Sequence, residues 1–156
     1  MKNVDLLLSF AVEERKYALP LVSVDTIIRS VEITPLPKAP AIVLGIINVH
    51  GRVIPVVNLR RRFGLPERDM ELSDQLIVAK TATRPVALLA DRVGAVIELD
   101  RQEIVKADKV LPGADYVAGI VKLPDGLLLI HDLTTFLSLD EETALNKALK
   151  ETGDVQ

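Results

Sequence analysis

Short apolar runs separated by charged stretches dominate the first half of the chain. Leu6 to Val12 and Tyr17 to Leu21 are apolar runs, and the charged stretch 13–16 between them has the length of a hairpin turn. Ile46 to Val49 and Arg52 to Val57 repeat this arrangement around a glycine-bearing turn. The pattern therefore predicts β-hairpins rather than long helices.

The stretch EITPLPKAP separates the two hairpins and carries three prolines between Pro35 and Pro40. Proline lacks an amide donor and fixes φ, so we expect an extended loop outside the central strands. After the second hairpin, Asn58 is a favourable N-cap residue, and Leu59 and Phe63 lie on one face of the short helix that it would begin.

Three consecutive arginines, Arg60 to Arg62, occupy this predicted helix. If Leu59 and Phe63 face the core, Arg60 and Arg61 point away from it and Arg62 flanks the buried stripe. Arginines at a helix carboxyl end are favoured by the helix dipole, so a solvated cap explains them. A docking role for Arg60 and Arg61 is the other explanation, and the sequence leaves both open.

The second half of the chain repeats the pattern of the first. The segments 45–58 and 119–132 have the same length, and each runs from glycine through two apolar strands and a glycine turn to a capping residue before leucine. Upstream, Ala18-Leu19, Val24 and Ile27-Ile28 match Ala87-Leu88, Val93 and Val96-Ile97 in internal spacing. The repeat predicts two similar lobes of about five strands each. The structural positions that it indicates are Gly45, Gly51, Asn58, Gly119 and Asp132.

We expect one domain over residues 1–156, divided at the polar connector 64–74. Lobe 1 is expected over about residues 13–74 and lobe 2 over about 75–138, with the N-terminal strand 6–12 shared between them as an alternative. After Asp140, expected to cap it, an apolar stripe predicts an amphipathic helix over about residues 140–151 that lies across one lobe. The stripe consists of Ala144, Leu145, Ala148 and Leu149.

Composition supports an all-β protein with an aliphatic core. The chain has 156 residues, of which 49% are apolar and only 3% aromatic, so Val, Ile and Leu must fill the core. The net charge of -3 disfavours general attraction to nucleic acid or anionic lipid. The absence of cysteine excludes disulfides, thiolate catalysis and sulfur-ligated zinc.

Two further classes of function are disfavoured by the residues. The apolar run near the amino terminus is too short for a signal peptide or a membrane span, so we expect a soluble cytoplasmic protein. The only histidines, His50 and His131, stand without a neighbouring nucleophile or ligand cluster, and Asp132 is better explained as a cap. No glycine-rich phosphate loop occurs. We therefore expect no enzymatic activity, no cofactor and no metal site.

Four segments fall in the order and at the spacing of a known family: YALPLVSVDTII, PLPKAPAIVLGIINVHGRVIPVVNLRRRFGL, ALLADRVGAVIEL and YVAGIVKLPDGLLLIHDL. With them the chain resembles the CheW family of bacterial chemotaxis coupling proteins over nearly its whole length. The resemblance implies two interlocked, five-stranded SH3-like β-barrels. It also implies an adaptor that joins the cytoplasmic tip of a methyl-accepting chemoreceptor to the regulatory domain of a CheA-type histidine kinase.

Two other identities compete with the adaptor. The regulatory domain of CheA is a relative of the same fold, but the chain lacks the length for an ATP-binding or phosphotransfer segment. An SH3-like barrel that binds RNA or ribosomes outside chemotaxis is the alternative function. Such a barrel needs a basic face with aromatic side chains for stacking, and this chain is acidic, with two Tyr and three Phe.

The resemblance points to the segment Val24 to Ile28 and the turn at His50 as partner-facing, and to the groove between the lobes as the receptor side. Plain core packing is the other interpretation of Val24, Ile27 and Ile28. With the two arginines added from the helix geometry, the expected partner-binding residues are Val24, Thr26, Ile27, Ile28, His50, Arg60 and Arg61.

Two departures from the family pattern occur together in this chain. Relatives commonly carry an arginine where this chain has His50 and a glutamate where it has Thr26. If these positions face each other, an ion pair has been exchanged for a neutral pair, a change worth only about 0–1 kcal/mol at a surface. A partner that recognises this charge pattern would bind with a different affinity, so we expect a divergent or auxiliary chemosensory system.

Overall fold

Strands make up most of the fold. The computed structural model describes residues 4–29, 31–106, 117–133 and 137–153, with side chains to residue 151. The described strands are β1 (Val4–Val12), β2 (Arg15–Pro20), β3 (Val24–Arg29), β4 (Val43–Val49), β5 (Arg52–Val57), β6 (Gln75–Lys80), β7 (Pro85–Ala90), β8 (Arg92–Asp100), β9 (Val105–Lys106), β10 (Val117–Leu123) and β11 (Gly126–His131). The helices are α1 (Leu59–Phe63) and α2 (Leu139–Gly153), and short 3₁₀ turns occupy Leu21–Ser23 and Arg101–Glu103. The all-β prediction is confirmed.

The strands form two sheets. A six-stranded sheet has the order β8-β1-β2-β11-β10-β9, and a five-stranded sheet has the order β3-β6-β7-β5-β4. Most neighbours are antiparallel, but β2 with β11 and β5 with β7 run parallel, so each sheet is joined at its centre by one parallel pair. The six-stranded sheet exceeds the expected five strands because the short β9 pairs with β10.

The division between the sheets differs from the expected division into residues 13–74 and 75–138. β1 and β2 lie in the six-stranded sheet beside β8 to β11, whereas β6 and β7 lie in the five-stranded sheet beside β3 to β5. Each half of the chain therefore contributes its first hairpin to the sheet of the other half. A sequence repeat does not reveal this exchange, because similar hairpins can pair within a half or between halves.

The repeat itself is visible in the strand register. β4 pairs with β5 through a bulge between Val43 and Gly45, and β10 pairs with β11 through a bulge between Val117 and Gly119. At both glycines another segment crosses closely: a Cβ on Gly45 would lie 2.3 Å from the Thr34 carbonyl oxygen, and one on Gly119 would lie 2.5 Å from a methyl of Ile104. The predicted equivalence of Gly45 and Gly119 is confirmed at the level of register.

One large hydrophobic cluster joins the two sheets. It contains Phe10 and Tyr17 from the six-stranded sheet, Ile77 and Leu88 from the five-stranded sheet, and Leu145 from α2. A smaller cluster lies within each sheet. Since the central cluster draws on both sheets, we expect neither sheet to be stable without the other.

Helix α2 begins earlier than expected. Ser138, rather than Asp140, caps it: the Ser138 hydroxyl accepts the Glu141 amide at 3.1 Å, and the Ser138 amide donates to the Glu141 carboxylate at 2.9 Å. This is a capping box, and its Ser-x-x-Glu spacing is readable in the sequence. The expected packing of α2 is present, since Leu145 and Ala148 are 0% and 1% exposed.

Candidate partner-binding site

Strand β3 lies at an edge of the five-stranded sheet, where it pairs with β6. Asp25, Thr26 and Ile27 are exposed, with Ile27 at 38%, because a bulge after Val24 turns this part of the strand outward. Val24 and Ile28 are half-buried and pack against hydrophobic clusters. Of the apolar residues Val24, Ile27 and Ile28, only Ile27 is mainly a surface residue.

The turn between β4 and β5 holds His50 in a defined, exposed position. His50 has φ 53° and Gly51 has φ 83°, so both central residues are left-handed. Two successive positive φ angles are typical of a type I′ hairpin turn, which matches the twist of the strands. The Asn48 side-chain oxygen accepts the Gly51 amide at 2.8 Å, and this bond fixes the turn.

An ion pair connects β3 with this turn. The Asp25 carboxylate lies 3.9 Å from the Arg52 guanidinium, and the two side chains are 42% and 56% exposed. Asp25 precedes Thr26, and Arg52 follows Gly51, so the two segments that carry the family departures approach each other in space. Whether Thr26 and His50 themselves face each other stays a prediction.

A hollow of about 500 Å³ with mixed polar and apolar walls adjoins the same turn. Val31, Thr34, Asn48 and Val53 are among the residues that line it. Val31 and Val53 are 42% and 44% exposed, so the hollow presents apolar side chains to solvent beside its polar walls. Sequence reasoning missed this hollow because its residues come from a loop and from two strands. We call Ile27, the Asp25–Arg52 pair, His50 and the hollow the β3–turn surface.

The arginine-bearing helix α1 begins as predicted. The Asn58 side-chain oxygen accepts the Arg61 amide at 3.3 Å, and Gly64 ends the helix with φ 68°. Leu59 is buried, and the Phe63 ring stacks on Tyr17 with 4.7 Å between the ring centroids. The helical turn that Asp132 is expected to cap would include residues 134–136, which lie outside the described residues.

The expected solvent-facing orientation of Arg60 is wrong. Arg60 is 7% exposed, and its guanidinium donates to Asp91 at 2.8 and 2.9 Å, to the Pro66 carbonyl at 2.9 Å, and to Glu13. Asp91 also accepts the Glu13 amide at 2.8 Å. Because paired carboxylates recover the cost of burying a guanidinium, Arg60 lies in the protein interior and acts as a structural link.

A second arginine extends this link into the connector. Arg68 donates to Asp74 at 2.7 and 2.9 Å and to Asp91 at 2.8 Å. Burial disfavours the ionised form of the Asp74 carboxyl and by itself would raise its pKa. Hydrogen bonds from Arg68 and from the Glu71 amide, together with the positive charges of Arg68 and Arg60, outweigh burial, so the pKa of Asp74 is lowered. We call Arg60, Arg68, Glu13, Asp74 and Asp91 the arginine cluster.

Arg61 differs from Arg60 in exposure. Its side chain is 45% exposed, donates to Glu67 at 2.7 Å, and also reaches the Ala41 carbonyl. The neighbouring Arg62 is 9% exposed and donates to Glu141 of α2 at 2.6 Å. Of the arginines in α1, Arg61 alone therefore presents a guanidinium at the surface.

The two histidines differ in exposure, because His131 is buried in the core and His50 lies on the exposed turn. His131 is 1% exposed, and its ring lies 4.5 to 5.6 Å from the rings of Phe63, Tyr17 and Phe10. Burial lowers the pKa of His131 to about 3, so the ring is neutral at pH 7. Within the described ranges, no three His, Cys, Asp or Glu side chains are grouped to hold a metal ion. No helix in the described part of the chain is long and apolar enough to cross a membrane.

Comparison with known proteins adds relatives of similar length. The "Chemotaxis protein CheW" of Treponema pallidum is 28% identical over 141 residues, which cover 86% of this chain and 83% of the relative. The protein of the same name from Thermotoga maritima is 33% identical over 124 residues, covering 80% and 81% of the two chains.

A solved structure shares the fold. The scaffolding protein TtCheW of Thermoanaerobacter tengcongensis superposes with a TM-score of 0.80 at 28% identity, covering 90% of this chain and 96% of that one. The family model for the CheW-like domain matches residues 6–141, which include both sheets and the beginning of α2. The chain belongs to the CheW-like domain family.

Proposed function

We propose that this protein is a non-enzymatic adaptor of a chemosensory system that acts in the cytoplasm. It joins the cytoplasmic tip of a chemoreceptor to the regulatory domain of a CheA-type histidine kinase. Relatives that bear the names of chemotaxis and scaffolding proteins support this assignment. In this role the protein carries no reaction, and it transmits receptor state by holding two partners in a fixed geometry.

The observation that carries the proposal is the β3–turn surface. Ile27 exposes apolar area two residues along β3 from Asp25, which pairs with Arg52 after the turn. Val53 exposes apolar area in the hollow, and His50 lies on the hydrogen-bonded turn between β4 and β5. An apolar centre with charged residues at its edge is the usual anatomy of a protein–protein interface. A turn fixed before binding also reduces the entropy that association costs. We assign this surface to the kinase.

The receptor tip is assigned to the groove between the two sheets. β3 and β8 occupy equivalent places in the two sheets, each at an edge and each with exposed apolar residues. Val24 and Val93 are half-buried against the central cluster that joins the sheets. A helical receptor tip in this groove would contact both sheets at once, so its movement would act on the whole adaptor.

The departures at Thr26 and His50 test the kinase surface. The double variant Thr26→Glu with His50→Arg restores the charges common in relatives. Both positions are exposed, so we expect the melting temperature to change by less than about 3 °C. Binding to the cognate kinase regulatory domain, measured by calorimetry, should weaken by about tenfold, because the charge pattern at the rim of the interface changes.

Thr143→Glu is the matched control, since Thr143 is also exposed but lies on α2. It should leave kinase binding unchanged. Equal affinity of the double variant and the wild type for kinase and receptor would place Thr26 and His50 outside the interfaces. A loss of several degrees in the melting temperature would instead identify them as structural positions.

A further inference from the structure

The turn between β4 and β5 holds a histidine in a conformation that side chains disfavour. His50 has φ 53°, and Gly51 after it has φ 83°. Glycine adopts such angles freely, whereas a residue with a Cβ brings its side chain too close to the backbone. Both residues are exposed, so burial in the core does not impose the conformation. The twist of the strands favours it, and a local hydrogen bond is the second contribution.

Asn48 provides that hydrogen bond. Its side-chain oxygen accepts the Gly51 amide at 2.8 Å. This amide lies outside the β4–β5 ladder, which closes at Val49 and Arg52. The bond spans His50, so it opposes rotation of the turn into another conformation. Asn48 also lines the hollow of the β3–turn surface, so the same side chain belongs to the hollow and holds the turn beside it.

The six-stranded sheet contains a second hairpin for comparison. Hairpin β10–β11 has the same register as β4–β5, and residues 124–125 form its turn. Lys122 stands there in place of Asn48. Neither Pro124 nor Asp125 has a positive φ, and proline cannot adopt one. The left-handed turn and the asparagine therefore occur together in one hairpin of the repeat, and the other hairpin has neither.

We infer that Asn48 is a positioning residue of the β3–turn surface, which fixes His50 in the conformation that the kinase regulatory domain recognises. The inference rests on the proposed function, because this surface is the one assigned to the kinase. A turn that already has its bound conformation loses less entropy on association. Without the hydrogen bond the turn samples other conformations, and the apparent affinity falls with the fraction of molecules that keep the competent one.

The variant Asn48→Ala removes the acceptor and keeps the strand. In the free protein, the strong NOE between the amide and α protons of His50, which marks a positive φ, should weaken. The affinity for the kinase regulatory domain, measured by calorimetry, should fall about fivefold, as expected for the loss of one hydrogen bond. Asn48 is exposed, so the melting temperature should change by less than about 3 °C.

A double-mutant cycle with His50→Gly separates positioning from direct contact. Glycine adopts the left-handed conformation without help, and the imidazole is absent. Adding Asn48→Ala to His50→Gly should therefore change the kinase affinity by less than about twofold. Lys122→Ala is the matched control, because Lys122 is exposed at the equivalent position of the other hairpin. It should leave both the His50 NOE and the kinase affinity unchanged.

A fivefold loss of affinity in the His50→Gly background as well would show that Asn48 acts independently of His50, and would overturn the inference. An unchanged His50 NOE in Asn48→Ala would do the same, as would an unchanged kinase affinity. If the wild type does not bind the kinase regulatory domain, the proposed function fails, and the NOE of Asn48→Ala still decides whether Asn48 holds the turn.

Discussion

Arg60 connects three parts of the chain through one guanidinium. Its partners are Glu13 in the β1–β2 turn, Pro66 in the connector, and Asp91 after β7. Glu13 follows a strand of the six-stranded sheet, whereas Asp91 follows a strand of the five-stranded sheet. The residue therefore fastens the two sheets to each other at their turns, which explains why a helix end carries a buried charge.

Replacing Arg60 should cost far more stability than replacing its neighbour. Arg60→Met leaves Asp91 and Glu13 without their main partner, and we expect the free energy of unfolding to fall by about 2–4 kcal/mol. Arg61→Met removes a half-exposed pair and should cost about 1 kcal/mol or less. Urea unfolding of both variants measures the difference. Equal losses would mean that the guanidinium of Arg60 is not the link between the sheets.

Ionisation of Asp74 should make the free energy of unfolding depend on pH. Its pKa is lowered in the folded protein, so its ionised form contributes stability at neutral pH that is lost as the pH falls below about 4, the range of an unfolded aspartate. Asp74→Asn should therefore be most destabilising near pH 7, and the deficit should shrink in acid. Urea unfolding between pH 3 and pH 7 measures this, with the exposed Asp69→Asn as control. A deficit that is constant across this range would contradict the assignment.

Among the elements, the hairpins β4–β5 and β10–β11 were accessible from the sequence, whereas the exchange of β1–β2 and β6–β7 between the sheets was not. Gly45 and Gly119 stand at equal spacing before Asn58 and Asp132, so the repeat could be recognised by pattern alone. The partners of Arg60 were not accessible, because Glu13 and Asp91 lie 47 and 31 residues away in sequence. The cap of α2 was accessible through the spacing of Ser138 and Glu141.

The two equivalent glycines should respond differently to substitution. A Cβ on Gly45 meets the backbone oxygen of Thr34, which moves only with the backbone that is bridged to Ile46, so Gly45→Ala should destabilise by about 2–3 kcal/mol. A Cβ on Gly119 meets a side-chain methyl of Ile104, which can rotate away, so Gly119→Ala should cost about 1 kcal/mol less. Thermal unfolding compares the pair. The reverse order would show that the crossing at Gly119 is the more rigid one.

In the whole molecule, the exchange of hairpins joins the two sheets into one structural unit. β1 and β2 leave one half of the chain for the sheet of the other, and the central cluster and the arginine cluster join the sheets again. A rigid body of this kind suits an adaptor, because the β3–turn surface and the groove between the sheets keep a fixed relation. Binding at one surface can then position whatever is bound at the other.

We propose that this chain binds a receptor tip and a kinase regulatory domain at the same time. Sedimentation velocity and calorimetry should be run with the host's kinase regulatory domain, with and without a saturating receptor cytoplasmic fragment. We expect a ternary complex and a kinase affinity that changes by less than about threefold when receptor is bound. Displacement of the kinase domain by the receptor fragment would show that the two partners compete for one surface, and competing partners are not coupled by the protein that binds them.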